Sequence, residues 1–280
     1  MEQFCDLHAH SVYSDGTYTP SQLLEEAQQR GLGAIALTDH NTVAGLPVFL
    51  EEAKRFSVEA VAGVEFSTEY QDQELHLLGL FLPPEHFGEI SAMLEEGVRA
   101  KEISNRDLAA ALVQAGYDID YEKMVANSPN GQLNRAHFGA ELTKKGYTPD
   151  IQTAFKTLLS PKNGLYHAPR RPDVCGVIGF IHEMGGVAVI AHPFLDLKEE
   201  AAVREFLELT VPAGLDGMEA YHPRHTPEQR RQAVALAREF GILCSGGSDF
   251  HGENKPDICL GVGRGDLAVP MEWMRALQKE

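Results

Sequence analysis

Phe4-Cys5-Asp6-Leu7-His8-Ala9-His10 and, near the other end of the chain, Gly246-Gly247-Ser248-Asp249-Phe250-His251-Gly252 decide how this sequence folds. Each stretch follows or contains a short apolar run and carries two metal-capable side chains two residues apart. Residues i and i+2 of an extended segment point the same way, so His8 with His10, and Asp249 with His251, can each grip one ion or two adjacent ones. Ligands from opposite ends of a chain meet when both lie at the C-terminal ends of strands in one parallel α/β barrel.

Working outward, short β-branched or apolar runs recur at 4–7, 34–37, 58–64, 75–82, 187–191, 217–220 and 242–245, which makes seven expected strands. Amphipathic stretches with helix punctuation separate several of them. Thr19-Pro20-Ser21-Gln22 supplies an N-cap, a first-turn proline and a capping-box glutamine, and Gly31 ends that helix. Thr226-Pro227-Glu228-Gln229 repeats the device, with Gly241 as the stop. Strand and helix in alternation imply parallel pairing with right-handed crossovers. The alternation fails from about residue 86 to 172, where helices are expected over 103–115, 136–145 and 149–159. The expected division is therefore a barrel of residues 1–98 and 173–280 with a helical insertion, 99–172, serving as a cap or as packing on the barrel side.

The composition excludes several classes. At 280 residues the chain can bury a sizeable core, 43% of it is hydrophobic and 23% charged, and no apolar stretch is long enough to span a bilayer. The first residues lack the basic start and apolar core of a secretion signal, so a cytoplasmic protein without a membrane role is expected. Cys5, Cys175, Cys244 and Cys259 lie far apart with no Cys-x-x-Cys, which disfavours both a disulfide framework and a thiolate zinc site. A net charge of −17 argues against binding long duplex nucleic acid, which requires Lys and Arg to neutralise phosphates. A small anionic substrate stays open.

Metal-capable residues fall at the ends of the expected strands or, as with His76, inside one: His8, His10, Asp15, His40, Glu65, His76, His192, Asp249 and His251. A lone histidine beside a strand is more often structural than a ligand, but six histidines and three carboxylates so placed reverse that expectation. Imidazole and carboxylate without thiolate favour Mn, Fe or Zn.

These segments, from Asp6-Leu7-His8-Ala9-His10 through Thr38-Asp39-His40, Gly63-Val64-Glu65 and Ala191-His192-Pro193 to Ser248-Asp249-Phe250-His251, resemble the motifs of the PHP (polymerase and histidinol phosphatase) metallophosphoesterases. The resemblance spans residues 4–82 and 187–251 and implies a distorted (β/α)7 TIM-like barrel with a trinuclear metal site. It implies that His8, His10, Glu65 and Asp249 hold one ion, Asp15, His40 and His251 a second, and bridging Glu65 with His76 and His192 a third. Three divalent ions, Mn first, would leave that site at about +3 in a chain that is otherwise acidic. Asp39 is expected either to orient an imidazole or to serve as a turn residue.

Within the insertion, Asn134-Arg135-Ala136-His137-Phe138 resembles the nucleotide-directed subgroup, which includes phosphatases of 3′,5′-nucleoside bisphosphates and enzymes acting on short RNA ends. Arg135 and His137 are the expected phosphate contacts, since a guanidinium pairs with phosphate through two hydrogen bonds. The turn they need is assigned to Pro129-Asn130-Gly131. Asn105, Arg106, Asn163 and Tyr221 are further substrate candidates, and His222 is the candidate proton donor. The expected reaction is hydrolysis of a phosphomonoester of a small nucleotide, with pAp going to AMP and phosphate. The competing readings are a 5′-to-3′ exoribonuclease on short RNA, an amidohydrolase-type C–N hydrolase and a metal-binding module without activity.

Overall fold

The computed structural model describes residues 3–128, 133–169 and 171–278; the Pro129-Asn130-Gly131 turn lies outside them. The chain divides into two units, Met1–Ala92 with Arg171–Glu280, and Met93–Arg170.

The first unit is an α/β barrel built on one eight-stranded sheet. Its strands are β1 (Phe4–Asp6), β2 (Ala34–Leu37), β3 (Glu59–Tyr70), β4 (Gln73–Leu80), β5 (Val187–Ile190), β6 (Gly217–Tyr221), β7 (Leu243–Gly246) and β8 (Val269–Pro270). They lie in the order β7-β6-β5-β4-β3-β2-β1-β8. The sheet nearly closes, because the chain just beyond β1 pairs with the chain at and beyond β7. Leu7 N donates to Gly246 O at 3.1 Å, Asp249 N to His8 O at 2.9 Å and His10 N to Phe250 O at 2.9 Å. Those three bonds lock together the two segments that carry the paired ligands.

All seven expected strands are present, and the TIM-like α/β class is borne out. The expectation of parallel pairing fails at β4, which is antiparallel to both β3 and β5. Only Gln71 and Asp72 separate β3 from β4, with φ of 50° and 61°, and a two-residue turn of that conformation makes a hairpin and leaves no room for a crossover. β8, two residues long and antiparallel to β1, is too short to show a period in sequence.

Helices follow the punctuation. Thr19 caps Pro20–Gln29 with a reciprocal box, Gln22 N donating to Thr19 Oγ1 and Thr19 N to Gln22 Oε1, and Leu23, Leu24 and Ala27 are buried. Thr226 caps Pro227–Phe240 in the same way, and Gly241 closes it at φ 70°. Each fully buried leucine contributes roughly 1.5–3 kcal/mol of apolar transfer energy. At the barrel centre Leu7, Ala36, Val61, Leu78, Val189 and Val269 form one apolar cluster.

The second unit is helical. Its first helix is the part from Met93 onward of Phe87–Gln114, which starts well before the expected 103; Arg135–Lys144 is capped by Asn134, and Ile151–Lys156 by Asp150. Leu108, Leu112, Phe138, Leu142, Ala154 and Leu159 form its core.

Candidate metal centre

Glu65 is the hub. It sits within β3, fully buried, and its backbone bridges to His40, with Asn41 N donating to Glu65 O at 2.9 Å. Its Oε2 lies 3.1 Å from His8 Nε2, 3.2 Å from His10 Nε2 and 3.1 Å from His40 Nδ1. Its Oε1 lies 2.9 Å from His76 Nδ1 and 3.0 Å from His192 Nε2. A buried carboxylate costs several kcal/mol unless positive charge or donors answer it, and here five imidazoles do so.

Two further carboxylates complete the cluster. Asp249 Oδ1 lies 3.7 Å from His8 Nε2, 3.4 Å from His10 Nε2 and 3.4 Å from His251 Nδ1. Asp15, half exposed, places Oδ1 3.3 Å from His251 Nε2 and 3.7 Å from His10 Nδ1, and Oδ2 3.9 Å from His40 Nε2. Asp249 and His192 take left-handed backbone angles, φ 53° and 28°, a strain on the order of 1–3 kcal/mol each that clusters at functional sites.

Surrounding groups fix the ligands. Glu219, buried in β6, accepts from His8 Nδ1 at 3.1 Å and from the His192 amide at 2.7 Å, so His8 presents Nε2 to the cluster. Asp196 holds His192 Nδ1 at 3.0 Å. Asp39 touches no imidazole by hydrogen bond; it accepts from Ser11 N, Ser11 Oγ and Ser14 Oγ at 2.6–2.7 Å and braces the loop between His10 and Asp15. Glu219 was missed in the sequence, although a single carboxylate inside the apolar run 217–220 is itself a signal. Lys255, whose Nζ lies 2.7 Å from Asp249 Oδ2, follows in a loop that gives none.

Electrostatics separate the imidazoles into two kinds. Burial holds His40 down at about 3, against the pull of Glu65, so its ring is neutral at pH 7. Burial opposes protonation of His76 and His192 too, but the carboxylates outweigh it, Glu65 and Glu74 lifting His76 to about 10 and Asp196 and Glu65 lifting His192 to about 9. Glu65 and Asp249, despite burial, are held well below the usual carboxylate range by the surrounding histidines. A cation entering here would displace protons from His76 and His192.

The donor set fits divalent metal. Three groups have ligand atoms within 4.8 Å of one another: His10, Asp15, His40 and His251; His8, His10 and Asp249; and His40, Glu65 and His76. His76 Nδ1, though 2.9 Å from Glu65 Oε1, and His10 Nδ1 are buried without an aligned hydrogen-bond partner. Nitrogen–oxygen separations near 3 Å without hydrogen-bond alignment are what neighbouring ligands show about an ion ~2.1 Å from each, because their lone pairs converge on a shared point.

The remaining candidates are distributed as follows. His222 is buried beside the cluster, its Nδ1 accepting from Arg224 N at 3.2 Å and its Nε2 3.5 Å from Asp249 Oδ2 without a hydrogen bond. The Tyr221 ring packs on Trp273, centroids 4.6 Å apart. In the helical unit, the Arg135 guanidinium lies over the rings of Tyr166 (4.5 Å) and Phe155 (5.1 Å), and His137 Nδ1 accepts from Asn134 N in that helix's capping box. Asn105 donates to Leu133 O at 2.8 Å, Arg106 pairs with Glu102 and Glu122, and Asn163 donates to Thr157 O.

Imidazoles and carboxylates gathered from within and just beyond the strands of such a barrel are the ligand set of a metal-dependent hydrolase. The PHP domain model matches residues 6–163, over half of the chain, and the chain belongs to the PHP family. It is 32% identical to a 5'-3' exoribonuclease of Haemophilus influenzae over 90% of this chain and 91% of that one. It is 30% identical to a 3',5'-nucleoside bisphosphate phosphatase of Chromobacterium violaceum, covering 90% of each. Among solved structures, a protein of Bifidobacterium adolescentis to which metal-dependent phosphoesterase activity is ascribed superposes with a TM-score of 0.76 at 28% identity, over 98% of this chain and 95% of that one. The chain is thus a metal-dependent phosphoesterase of the PHP type, a hydrolase of phosphoester bonds. No helix among the described residues is long and apolar enough to cross a membrane.

Proposed function

We propose that this enzyme hydrolyses phosphomonoesters of small nucleotides, 3′,5′-nucleoside bisphosphates first, converting pAp to AMP and phosphate. The observation that carries the proposal is the gathering of five imidazole nitrogens within 3.2 Å of the Glu65 oxygens, flanked by Asp15 and Asp249. His8, His10, Asp15, His40, Glu65, His76, His192, Asp249 and His251 would hold three divalent ions, Mn before Fe or Zn. Such ions supply Lewis acidity toward water and toward the phosphoryl oxygens.

The protein's own groups do the rest. Glu219 and Asp196 keep His8 and His192 aimed at the cluster. His222, with Nδ1 engaged as an acceptor, carries its proton on Nε2 beside Asp249, and in this proposal that N–H serves the leaving oxygen. Arg135, His137, Asn105, Arg106, Asn163 and Tyr221 stand in the proposal as substrate contacts on the chemistry of their side chains, each tested by KM in its alanine variant. The four cysteines are free thiols, which suits the cytoplasmic location that forms part of the proposal.

The similarity to the Haemophilus influenzae enzyme favours one second reading, a 5′-to-3′ exoribonuclease on short RNA. Phosphate release from pAp, compared with mononucleotide release from a short 5′-phosphorylated RNA, both with added Mn, separates the two. Turnover of the RNA with none of pAp would overturn the first reading. An amide panel run alongside tests the C–N hydrolase reading of the sequence, which the likeness to a Chromobacterium violaceum structure described as an amidohydrolase with sulfate bound and no metal also bears on (TM-score 0.75, 28% identity, 92% of this chain and 89% of that one).

A further inference from the structure

Lys255 is the one Lys or Arg among the described residues that is ion-paired with any of the nine clustered groups. Its ammonium lies 2.7 Å from Asp249 Oδ2, on the carboxylate oxygen turned away from His8, whereas Oδ1 faces His8, His10 and His251. An ammonium has three donors, and the contact with Asp249 uses one. The side chain is about a quarter exposed, so the other two can meet an incoming group.

The position is also held from below. Asn254 Nδ2 donates to Asp15 O at 2.8 Å, Glu253 N to Thr17 Oγ1 at 2.9 Å and Lys255 N to Gly252 O at 3.2 Å, so the turn bearing Lys255 is fastened to the loop bearing Asp15. Beside it, His222 Nε2 lies 3.5 Å from the same Asp249 oxygen, 1% exposed and without a hydrogen-bond partner. Two donors therefore flank one edge of the cluster.

A fixed positive charge next to a carboxylate that would hold a divalent ion disfavours that ion, since like charges a few ångströms apart repel even at an effective dielectric near 20. Lys255 is thus badly placed to assist cation binding and well placed to receive an anion. We propose that Lys255 is a substrate-binding residue whose ammonium contacts a non-bridging phosphoryl oxygen of the bound phosphoester. This rests on the phosphoesterase reading of the site and is independent of which nucleotide carries the phosphate.

The test uses inorganic phosphate as probe on the Mn-loaded full chain, in wild type, Lys255→Met and Lys255→Arg. If the ammonium meets phosphate, the methionine variant binds Mn as tightly as wild type or more tightly by calorimetry, while its calorimetric dissociation constant for phosphate rises about tenfold; the arginine variant recovers most of that loss. Loss of Mn from the methionine variant in step with its activity would make Lys255 a brace for Asp249 and overturn the proposal. So would an unchanged phosphate constant. Because phosphate binding is read directly, a failure of pAp as substrate leaves this result interpretable, and the arginine variant guards against misfolding as the cause.

Discussion

The two units treat charge in opposite ways. In the barrel unit, Asp6, Glu65 and Glu219 are completely buried together with His8 and His10, and His192, Asp249 and His251 are nearly so. Among the described residues of the helical unit the buried core is apolar apart from Ser104, Asn105 and Thr148, and ion pairs such as Arg106 with Glu122 and Lys145 with Asp118 involve partners on the surface. Exposed pairs stabilise little, so the helical unit is held by Phe138, Leu142 and their neighbours. Burying charge is expensive, and a fold retains it where it has chemistry to perform.

That contrast can be broken most decisively at its centre. Replacing Glu65 with Ala strips five imidazoles of their shared anion; turnover should fall at least ~10³-fold, with loss of Mn measured by metal analysis after gel filtration. A fully active, Mn-replete variant would refute the central role given to Glu65. Next, His10→Ala and Asp249→Ala should each abolish phosphate release while circular dichroism stays that of the native fold; full activity with metal removed would dismiss the assignment. On the other side, Phe138→Ala should cost roughly 3–5 kcal/mol of the helical unit's stability in denaturant titration. It should leave Mn affinity unchanged, since every proposed ligand lies in the barrel unit, and a matching loss of Mn would end the separation drawn here.

Smaller effects sharpen the picture. A Cβ at Gly247 would lie 2.4 Å from His8 Cβ and 2.5 Å from His8 N, so Gly247→Ala should push β7 and the chain after β1 apart. A loss of about 1–3 kcal/mol, with weakened Mn binding, is expected by calorimetry. Mildest of all, apparent Mn affinity should rise with pH from about 6 to 9, because the raised His76 and His192 hold protons at low pH that an ion must displace and lose them as pH climbs. A flat profile would argue that neither ring meets the ion.

Much of this was legible in sequence, for a physical reason. His8 and His10, like Asp249 and His251, sit two apart beside extended segments, and that spacing fixes a common direction before any tertiary contact exists. The capping boxes at Thr19 and Thr226 are equally local, so the helices they start were expected where they occur. What escaped was non-local or unpatterned. The reversed direction of β4 hung on the two residues Gln71 and Asp72, and β8 has too few residues for a period. The early start of the Phe87–Gln114 helix was hidden by Gly88 and Gly97, which weaken helical periodicity. Lys255 reaches Asp249 through loop geometry that no spacing encodes.

The β3–β4 hairpin sets a limit on how this enzyme can vary. Ser67 pairs with His76 and Glu65 with Leu78, and the count between them is fixed by the tight Gln71-Asp72 reversal. Side chains alternate faces along a strand, so one residue added there, if the ladder slid to accommodate it, would turn His76 from the interior cluster to the opposite face. The length of a solvent-side bend thereby works as a gauge for a ligand several residues away, and insertions that most surface loops would absorb are forbidden at this one.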